Sequence, residues 1–492
     1  MVNFKVEVDG TPATDVIDVE YDRTEGADVS QATVTVLNSS ANRSLFESGS
    51  DVVIKREDVD NPGVFDKEWS GEVAGTPSTA SQRNVTLTVE CESKGGQLEY
   101  GKVGRPFIQV DSGDAVRQAV EKVVEPETSP VFVTTGSDAG PWSSNANVFE
   151  LADINKKSLN KFGSDLLYAD FKEGEDGTWY IRNTSVGSTV LPGRRLLKVE
   201  MRALINNRGN VFEAELEVRD HDGVNYVWSI DVPGFAGFQT YEFTPEDAEY
   251  GGGELTQDGS IELRVTNTGG LPEDRALVVD MIRATPFSLN DRGTSVSAAG
   301  VESTGRTITR RLEGSILQVA NQLATEDGAS VYIDPDDVLY YETAGDTSVP
   351  PGLNITDDGS VPVVDVDVDR DYDVRNRVTV QGKDDLQATF EDSASIAFYN
   401  TGAPKEEPIT DTSIRTKSGL EERARGFLTE NAWEDTAMSF TIADGSFKDV
   451  DVGQAIDITW ADEDVDGTYI VSSVSTTPEG YVVIGATGNT TA

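Results

Sequence analysis

From Val364 to Val374 the chain reads VDVDVDRDYDV, apolar and acidic residues alternating almost without a break. A helix, turning once every ~3.6 residues, would scatter those acids around its circumference. An extended strand instead collects Asp365, Asp367, Asp369, Asp371 and Asp373 on one face and turns the valines to the other. The segment therefore reads as a strand with one wet face and one buried face.

The same period of two recurs through much of the chain. In residues 1–95 it runs over Val29–Val36, Asp51–Arg56, Trp69–Val73 and Val85–Cys91, with Asn38, Ser39 and Ser40 as a turn. That is the pattern of a small antiparallel barrel or sandwich. Residues 112–124 read as a helix with Ser112 as N-cap and Ala115, Val116, Ala119, Val120 and Val123 on one face. Residues 129–147, rich in Ser, Gly and Pro, read as loop. Between 165 and 287 the strands are longer and more aromatic, with no helix among them, which points to a β-sandwich. Helices are predicted again at Gly314–Ala324 and Gly419–Asn431. Strands are predicted at Ser330–Ile333, Val338–Glu342, Val361–Arg370, Asn376–Gly382, Ala455–Trp460, Thr468–Val474 and Tyr481–Ala486.

An internal echo links the two ends. Gly49, Val52 and Ile54 share their spacing with Gly453, Ile456 and Ile458, and each set precedes a polar hairpin region and further strands. One barrel used twice, with other material between, accounts for this. The expected fold class is mainly β with minor α: two related small β-barrels at 1–95 and 361–492, a small α/β connecting domain at 96–164 and 288–360, and an inserted β-sandwich at 165–287.

Charge constrains what the chain can meet. Its 492 residues carry 40 basic and 87 acidic side chains, a formal charge of −47 spread from end to end. Phosphate backbones would be repelled, so nonspecific nucleic-acid binding is not expected. Extreme acidity with few lysines suits a protein hydrated in molar salt, where the Debye length is about 3 Å and self-repulsion is screened. Disorder is the other common home of high charge, and the strand-like alternation argues against it. The composition resembles that of salt-loving archaeal proteomes. No apolar run approaches the ~18 residues of a membrane span, so stable membrane insertion is not expected. The N-terminal MVNFKVEVDG opens as a strand, without the pattern of a secretory signal. Cys91 stands alone, so no internal disulfide can form.

Catalytic constellations are thin. The single histidine, His221, sits in Asp220-His221-Asp222-Gly223, which reads as an exposed turn. A Ser/His/Asp or Cys/His centre needs a histidine within reach of its nucleophile, and one His with one distant Cys cannot furnish a zinc site. Asp462, Asp464 and Asp466 copy the first half of a calcium loop, but Ser473 stands where the closing glutamate belongs. Paired carboxylates could hydrolyse glycosides, yet among 87 acids no pair is marked out. No catalytic residue, metal or cofactor is expected. Two features remain. The acid row Asp365–Asp373 is either a solvated face or the wall of a channel past which DNA slides without sticking. The aromatic residues Trp179, Tyr226, Trp228, Phe235 and Phe238 are either sandwich core or stacking platforms for a glycan.

Several short patterns, in order, resemble the central baseplate hub or tail-tip hub family of tailed viruses. They are Phe46-Glu-Ser-Gly49 leading to Val52 and Ile54, then Trp69-Ser-Gly71-Glu-Val73, then the helix opening Ser112-Gly113-Asp114-Ala115-Val116. Near the end come Asn376-Arg377-Val378, Val450 to Ile458, and Gly467-Thr-Tyr469. The resemblance covers about 1–140 and 290–492. It implies a structural homotrimer whose six barrels join the tail tube to the tail tip at the distal end of the virion tail and surround the DNA exit. Implied partners are the tail tube or distal tail protein, the tape-measure protein and other tip or fibre proteins. DNA would pass through without specific binding. The region 165–287 looks similar to jelly-roll carbohydrate-binding modules, which implies contact with a host-surface glycan. The alternatives are a cellular glycan-binding adhesin and, least favoured, a glycoside hydrolase with an accessory module.

Overall fold

The computed structural model describes residues 3–24, 30–57, 62–75, 85–126, 131–134, 142–144, 148–154, 166–171, 177–183, 195–205, 212–219, 225–231, 238–248, 260–267, 276–343, 348–350, 352–371, 374–382, 386–399, 404–411, 414, 417–433, 435–444, 447, 449–463, 465–477 and 481–489. The chain is mainly β, as the alternation predicts, with a few helices.

The first barrel is built from Phe4–Val8, Val16–Thr24, Gln31–Leu37, Asp51–Glu57, Phe65–Val73 and Thr86–Glu92. Gln31–Leu37 shows the cause: Ala32, Val34 and Val36 point inward, and Gln31 and Leu37 outward. With Val6, Val52, Ile54, Trp69, Val89 and Cys91 they make one core, each large apolar side chain contributing roughly 1.5–3 kcal/mol by leaving water. The turn read at 38–40 is in fact a helix start. The Ser39 hydroxyl accepts from the Asn42 N–H at 3.1 Å and caps Ser40–Leu45.

The second barrel repeats the first strand for strand. The first runs, in sheet order, Phe4–Val8, Asp51–Glu57, Phe65–Val73, Thr86–Glu92, Gln31–Leu37, Val16–Thr24. The second runs Ile355–Thr356, Ala455–Trp460, Val465–Thr476, Val482–Asn489, Asp435–Ile442, Val363–Asp371. Only its opening strand departs, lying parallel to Ala455–Trp460 where Phe4–Val8 is antiparallel to its neighbour. The two barrels share a single thirteen-stranded sheet, because Tyr21, Asp22, Arg23 and Thr24 pair with Thr476, Ser475, Val474 and Ser473.

The stretch 361–492 is not one barrel. The second barrel starts at Ile355 and is interrupted between Val363–Asp371 and Asp435–Ile442. The interruption holds a separate three-stranded sheet, Arg377–Gln381, Gln387–Glu391 and Glu406–Thr410, packed under the helix Lys417–Asn431 with its own core of Val378, Val380, Ile414, Leu420 and Ala424. Alternation looks the same in either sheet, so the period alone does not say which sheet a strand joins.

Between the barrels, the helices Ser112–Glu121 and Ile316–Asp327 cover a sheet of Ser297–Val301, Val338–Thr343 and Ala329–Ile333. Asp111, not Ser112, caps the first helix, accepting from the N–H groups of Gly113 and Asp114 at 2.9 and 3.3 Å. Ser112 turns inward instead and donates to Asp327. The second helix carries a reciprocal capping box between Ser315 and Gln318.

The sandwich begins earlier than its aromatic texture indicates. Lys122–Pro126, Val131–Thr134, Trp142–Ser144 and Val148–Ile154 all belong to its two sheets, of seven and five strands. Residues 129–147 look like loop in sequence because strands of three or four residues leave too few alternations to detect. Its last strand, Ala276–Asp291, returns beside the first, with Asp291 opposite Lys122 and Phe287 opposite Pro126. The insertion therefore enters and leaves the α/β unit at one spot.

Candidate functional site

Val16–Thr24 and Val363–Asp371 read VIDVEYDRT and VVDVDVDRD, the same residue at five of nine positions. Both ladders slip at the same place, after Val16 and after Val363. The slip pushes the next apolar residue outward in each, leaving Ile17 53% and Val364 57% exposed. Beyond it the valines return to the core and the acids to water. Asp365, Asp367 and Asp369 are exposed on one face, as the alternation requires, while Val366 and Val368 pack inward. Asp371 ends the strand, and Asp373 lies outside the described residues. In the first barrel Asp18, Glu20 and Asp22 stand at the positions of Asp365, Asp367 and Asp369. The acid row is thus a property of both barrels.

The inter-barrel junction is the part sequence reading missed. Arg23, 9% exposed, crosses from the first barrel to the second, pairing with Asp451 at 3.0 Å and donating to the Val450 carbonyl at 3.2 Å. The signal was present in the repeated Val-x-Asp-Val-x-x-Asp-Arg, which ends in Arg23 and in Arg370. Arg370 donates to the main-chain carbonyl of Glu463.

Where the two barrels meet the α/β unit there is a cleft of about 580 Å³. Asp66, Glu68, Asp334, Glu342, Asp449 and Asp451 line it, with Arg23 and Lys67 as cations. The rings of Tyr332 and Tyr340 stack in it, 4.9 Å apart and nearly parallel. Burial raises the Asp334 carboxyl above its ordinary range, and burial together with Glu342 raises the Tyr332 phenol, which donates to Glu342 at 3.0 Å. Lys67 reaches Asp336 at 3.1 Å, and the Ser70 hydroxyl lies 2.9 Å from Asp337. These contacts fasten the Asp334–Asp337 turn to the first barrel.

The sandwich corrects part of the aromatic set. Tyr226 and Trp228 are 4% and 2% exposed and belong to its core. Their register puts them opposite Val218 and Leu216 on the inner face, and the Trp228 indole donates to the Thr244 carbonyl at 2.6 Å. Neither ring lies on the solvent-facing surface; Tyr226 borders a cavity of about 240 Å³. Phe238 is half-buried, with the Arg202 guanidinium 4.5 Å over its ring. Trp179 lies in the strand Gly177–Asn183, opposite Val265. Phe235 and His221 lie outside the described residues.

The outer face of the five-stranded sheet carries an ionic lattice. Glu262 pairs across the ladder with Glu217, both buried. Two carboxylates directly opposite repel unless cations intervene. Arg182 and Arg264 clasp Glu262, while Arg264 and Arg219 hold Glu217 at 2.9 and 2.5 Å. The Arg182 guanidinium lies 5.1 Å from the Tyr180 ring.

Among the described residues, no group of three acids, histidines or cysteines is arranged to hold a metal ion. No helix is long and apolar enough to cross a membrane. Asp466, from the half calcium loop, lies in a ladder opposite Thr459 and accepts from its hydroxyl at 3.1 Å. Cys91 is buried, and burial pushes its thiol up to about 12.

No family model matches the sequence, and no curated protein matches it. Among solved structures, the chain is similar over its length to a tail protein from Neisseria meningitidis MC58, at 8% identity and a TM-score of 0.47, covering 99% of this chain and 96% of that one. It is also similar to a prophage MuSo2 43 kDa tail protein from Shewanella oneidensis, at 10% identity and a TM-score of 0.45, covering 99% and 98%. A family 11 carbohydrate-binding module of a Clostridium thermocellum cellulosomal cellulase matches 32% of this chain and 96% of that one, at 14% identity and a TM-score of 0.25. Likenesses at TM-scores below 0.5 decide neither fold nor function for this chain.

Proposed function

We propose that the chain is a structural tail hub of a tailed virus infecting a halophilic archaeon. Three copies form a ring at the distal end of the tail, joining tail tube to tail tip and surrounding the DNA exit. The observation that carries this reading is the pair of topologically equivalent barrels joined through one continuous sheet. A chain with two equivalent barrels makes three copies into six barrels, which lets a threefold tip meet a sixfold tube. Both barrels carry the same acid row, so a channel lined by them would repel DNA all round and let it slide. The partners in this reading are the tube or distal tail protein, the tape-measure protein and other tip or fibre proteins.

The role is mechanical rather than enzymatic. Cys91, buried and with its thiol held protonated, is no nucleophile. The sandwich, entered through Lys122–Pro126 and left through Ala276–Asp291, is the part that meets the host surface. With Tyr226 and Trp228 in the core, the remaining glycan-contact candidates are Trp179, Phe235 and Phe238, the last beneath Arg202, and Tyr180 beside Arg182 joins them.

The test is the mass of the purified chain in molar salt, by light scattering behind a sizing column, together with electron microscopy of the same fraction. A mass three times 53.0 kDa, in rings with an open centre, is expected. A monomer at every concentration would remove the ring-forming hub. It would leave the second reading, a glycan-binding surface protein, which rests on the self-contained core of the sandwich.

A further inference from the structure

The repeated strand has a neighbour on both sides in the first barrel and on one side in the second. Val16–Thr24 lies between Gln31–Leu37 and the second barrel's Val465–Thr476. Val363–Asp371, its counterpart, pairs with Asp435–Ile442 and ends the sheet among the described residues. Arg370 holds in this strand the position that Arg23 holds in the other.

The glycine echo identifies what Arg370 would meet if the junction were repeated. Gly49 corresponds to Gly453, so Asp451 and Val450 correspond to Glu47 and Phe46. Phe46 is buried, as Val450 is, and Glu47 beside it is exposed and acidic, as Asp451 is. The first barrel thus offers an arginine the same pair of acceptors, a carboxylate and the carbonyl of a buried apolar residue. In the order of the thirteen strands, Val363–Asp371 is at one end and Asp51–Glu57, which follows Glu47, is near the other.

We propose that Arg370 of one copy docks on Glu47 of a second copy, bringing the open edge of Val363–Asp371 against that copy's first barrel. The contact is head-to-tail, using two different surfaces, and repeats until it closes a ring in which first and second barrels alternate. The exposed acids lie on the strand's face rather than its edge, so they stay clear of the contact. An unpaired edge invites association; this one selects its partner by an arginine and an acid at fixed positions. The proposal draws on the trimeric reading for the number of copies, while the junction stands on the repeat itself.

The full-length chain tests it in molar salt by light scattering over a concentration series. Arg370→Glu and Glu47→Arg should each weaken self-association at least tenfold, and the two together should restore it. Association unmoved by either reversal overturns the junction and leaves the trimer standing. Arg370→Cys combined with Glu47→Cys, treated with a bis-maleimide cross-linker long enough to replace the two side chains, supplies the second measurement, since Cys91 is buried. The linker should yield covalent multimers that either single variant cannot extend beyond a dimer. If the wild-type chain is monomeric, the trimeric reading fails, and the cysteine pair at high protein concentration then decides the junction alone: no cross-linked ladder overturns it.

Discussion

Arg23 and Arg370 occupy one position of a repeated strand, but Arg23 is buried against Asp451 of the second barrel while Arg370 lies at the end of the sheet. Replacing Arg23 by alanine removes the buried bond to the Val450 carbonyl, while the exposed Asp451 carboxylate returns to water. Losing a hydrogen bond to a charged group costs about 1–3 kcal/mol. Arg370 is half-buried and donates to the Glu463 carbonyl, so the same change there should cost about 0.5–1.5 kcal/mol in dilute solution. Urea denaturation of the two variants compares them, and equal losses would mean that the ladder alone holds the barrels together.

Reversing the acid row should create a DNA-binding surface. Asp365, Asp367 and Asp369 are exposed together on one strand face. The wild-type chain should show no retention of duplex DNA at low salt, whereas a variant with lysine at all three should bind with an affinity that falls as salt rises. Gel-shift titrations measure both. Binding by the wild-type protein would sink the sliding-wall reading.

Cys91 should resist alkylation in the native state. Burial pushes its thiol up to about 12, so little of the reactive thiolate exists at pH 8. Labelling by iodoacetamide, followed by mass spectrometry, should be slow without denaturant and fast in it. Fast labelling of the folded protein would show that the first barrel opens readily around Val89 and Trp69, its partners in the core.

Acid should weaken the sandwich through Glu200. Its carboxyl accepts from Arg283 at 2.5 and 2.9 Å, and that bond holds it below its ordinary value of 4.5 against the opposing effect of burial. A carboxyl depressed in the folded state stabilises fully above its unfolded value, and the contribution disappears as pH falls through the folded one. Glu200→Gln should therefore be less stable than wild type at neutral pH, with the gap closing below about pH 4.5. Thermal unfolding at a series of pH values reads this out, and a gap independent of pH would assign Glu200 a packing role only.

The breaking of the buried lattice should be costlier than any surface change. Glu262→Ala takes from Arg182 and Arg264 the carboxylate they share, leaving Arg264 its pair with Glu217. Because both arginines retain some solvent, the loss should be about 2 kcal/mol, below the full penalty for an orphaned buried charge. Calorimetry of the full chain measures it; a loss under about 0.5 kcal/mol would place the lattice among ordinary surface pairs.

Period-two alternation carried the fold class because it reports directly which face of a strand is wet, and the valines of Gln31–Leu37 and Val363–Asp371 behave accordingly. Partnership between strands was less legible. The glycine echo points to two related barrels, and the longer repeat of Val16–Thr24 in Val363–Asp371 marks the same relation once the two strands are aligned at their slips. The aromatic set failed at Tyr226 and Trp228 for a related reason. A ring on an alternating strand faces core or water according to register, and register is set by the neighbouring strand. Asp111 displaced Ser112 as helix cap because the buried Asp327 claims the serine hydroxyl.

The adjacency of Lys122 and Asp291 bears on how such a molecule changes over time. Since the chain departs for the sandwich and comes back at neighbouring positions of one ladder, the host domain sees the excursion as little more than a hairpin, whatever its length. Closing a long loop between fixed, adjacent ends adds only slowly to the entropic cost. The inserted sandwich can then be exchanged for another of different size while the strands that fasten barrel to barrel keep their register. Sandwich and barrels are free to evolve at different rates within a single polypeptide.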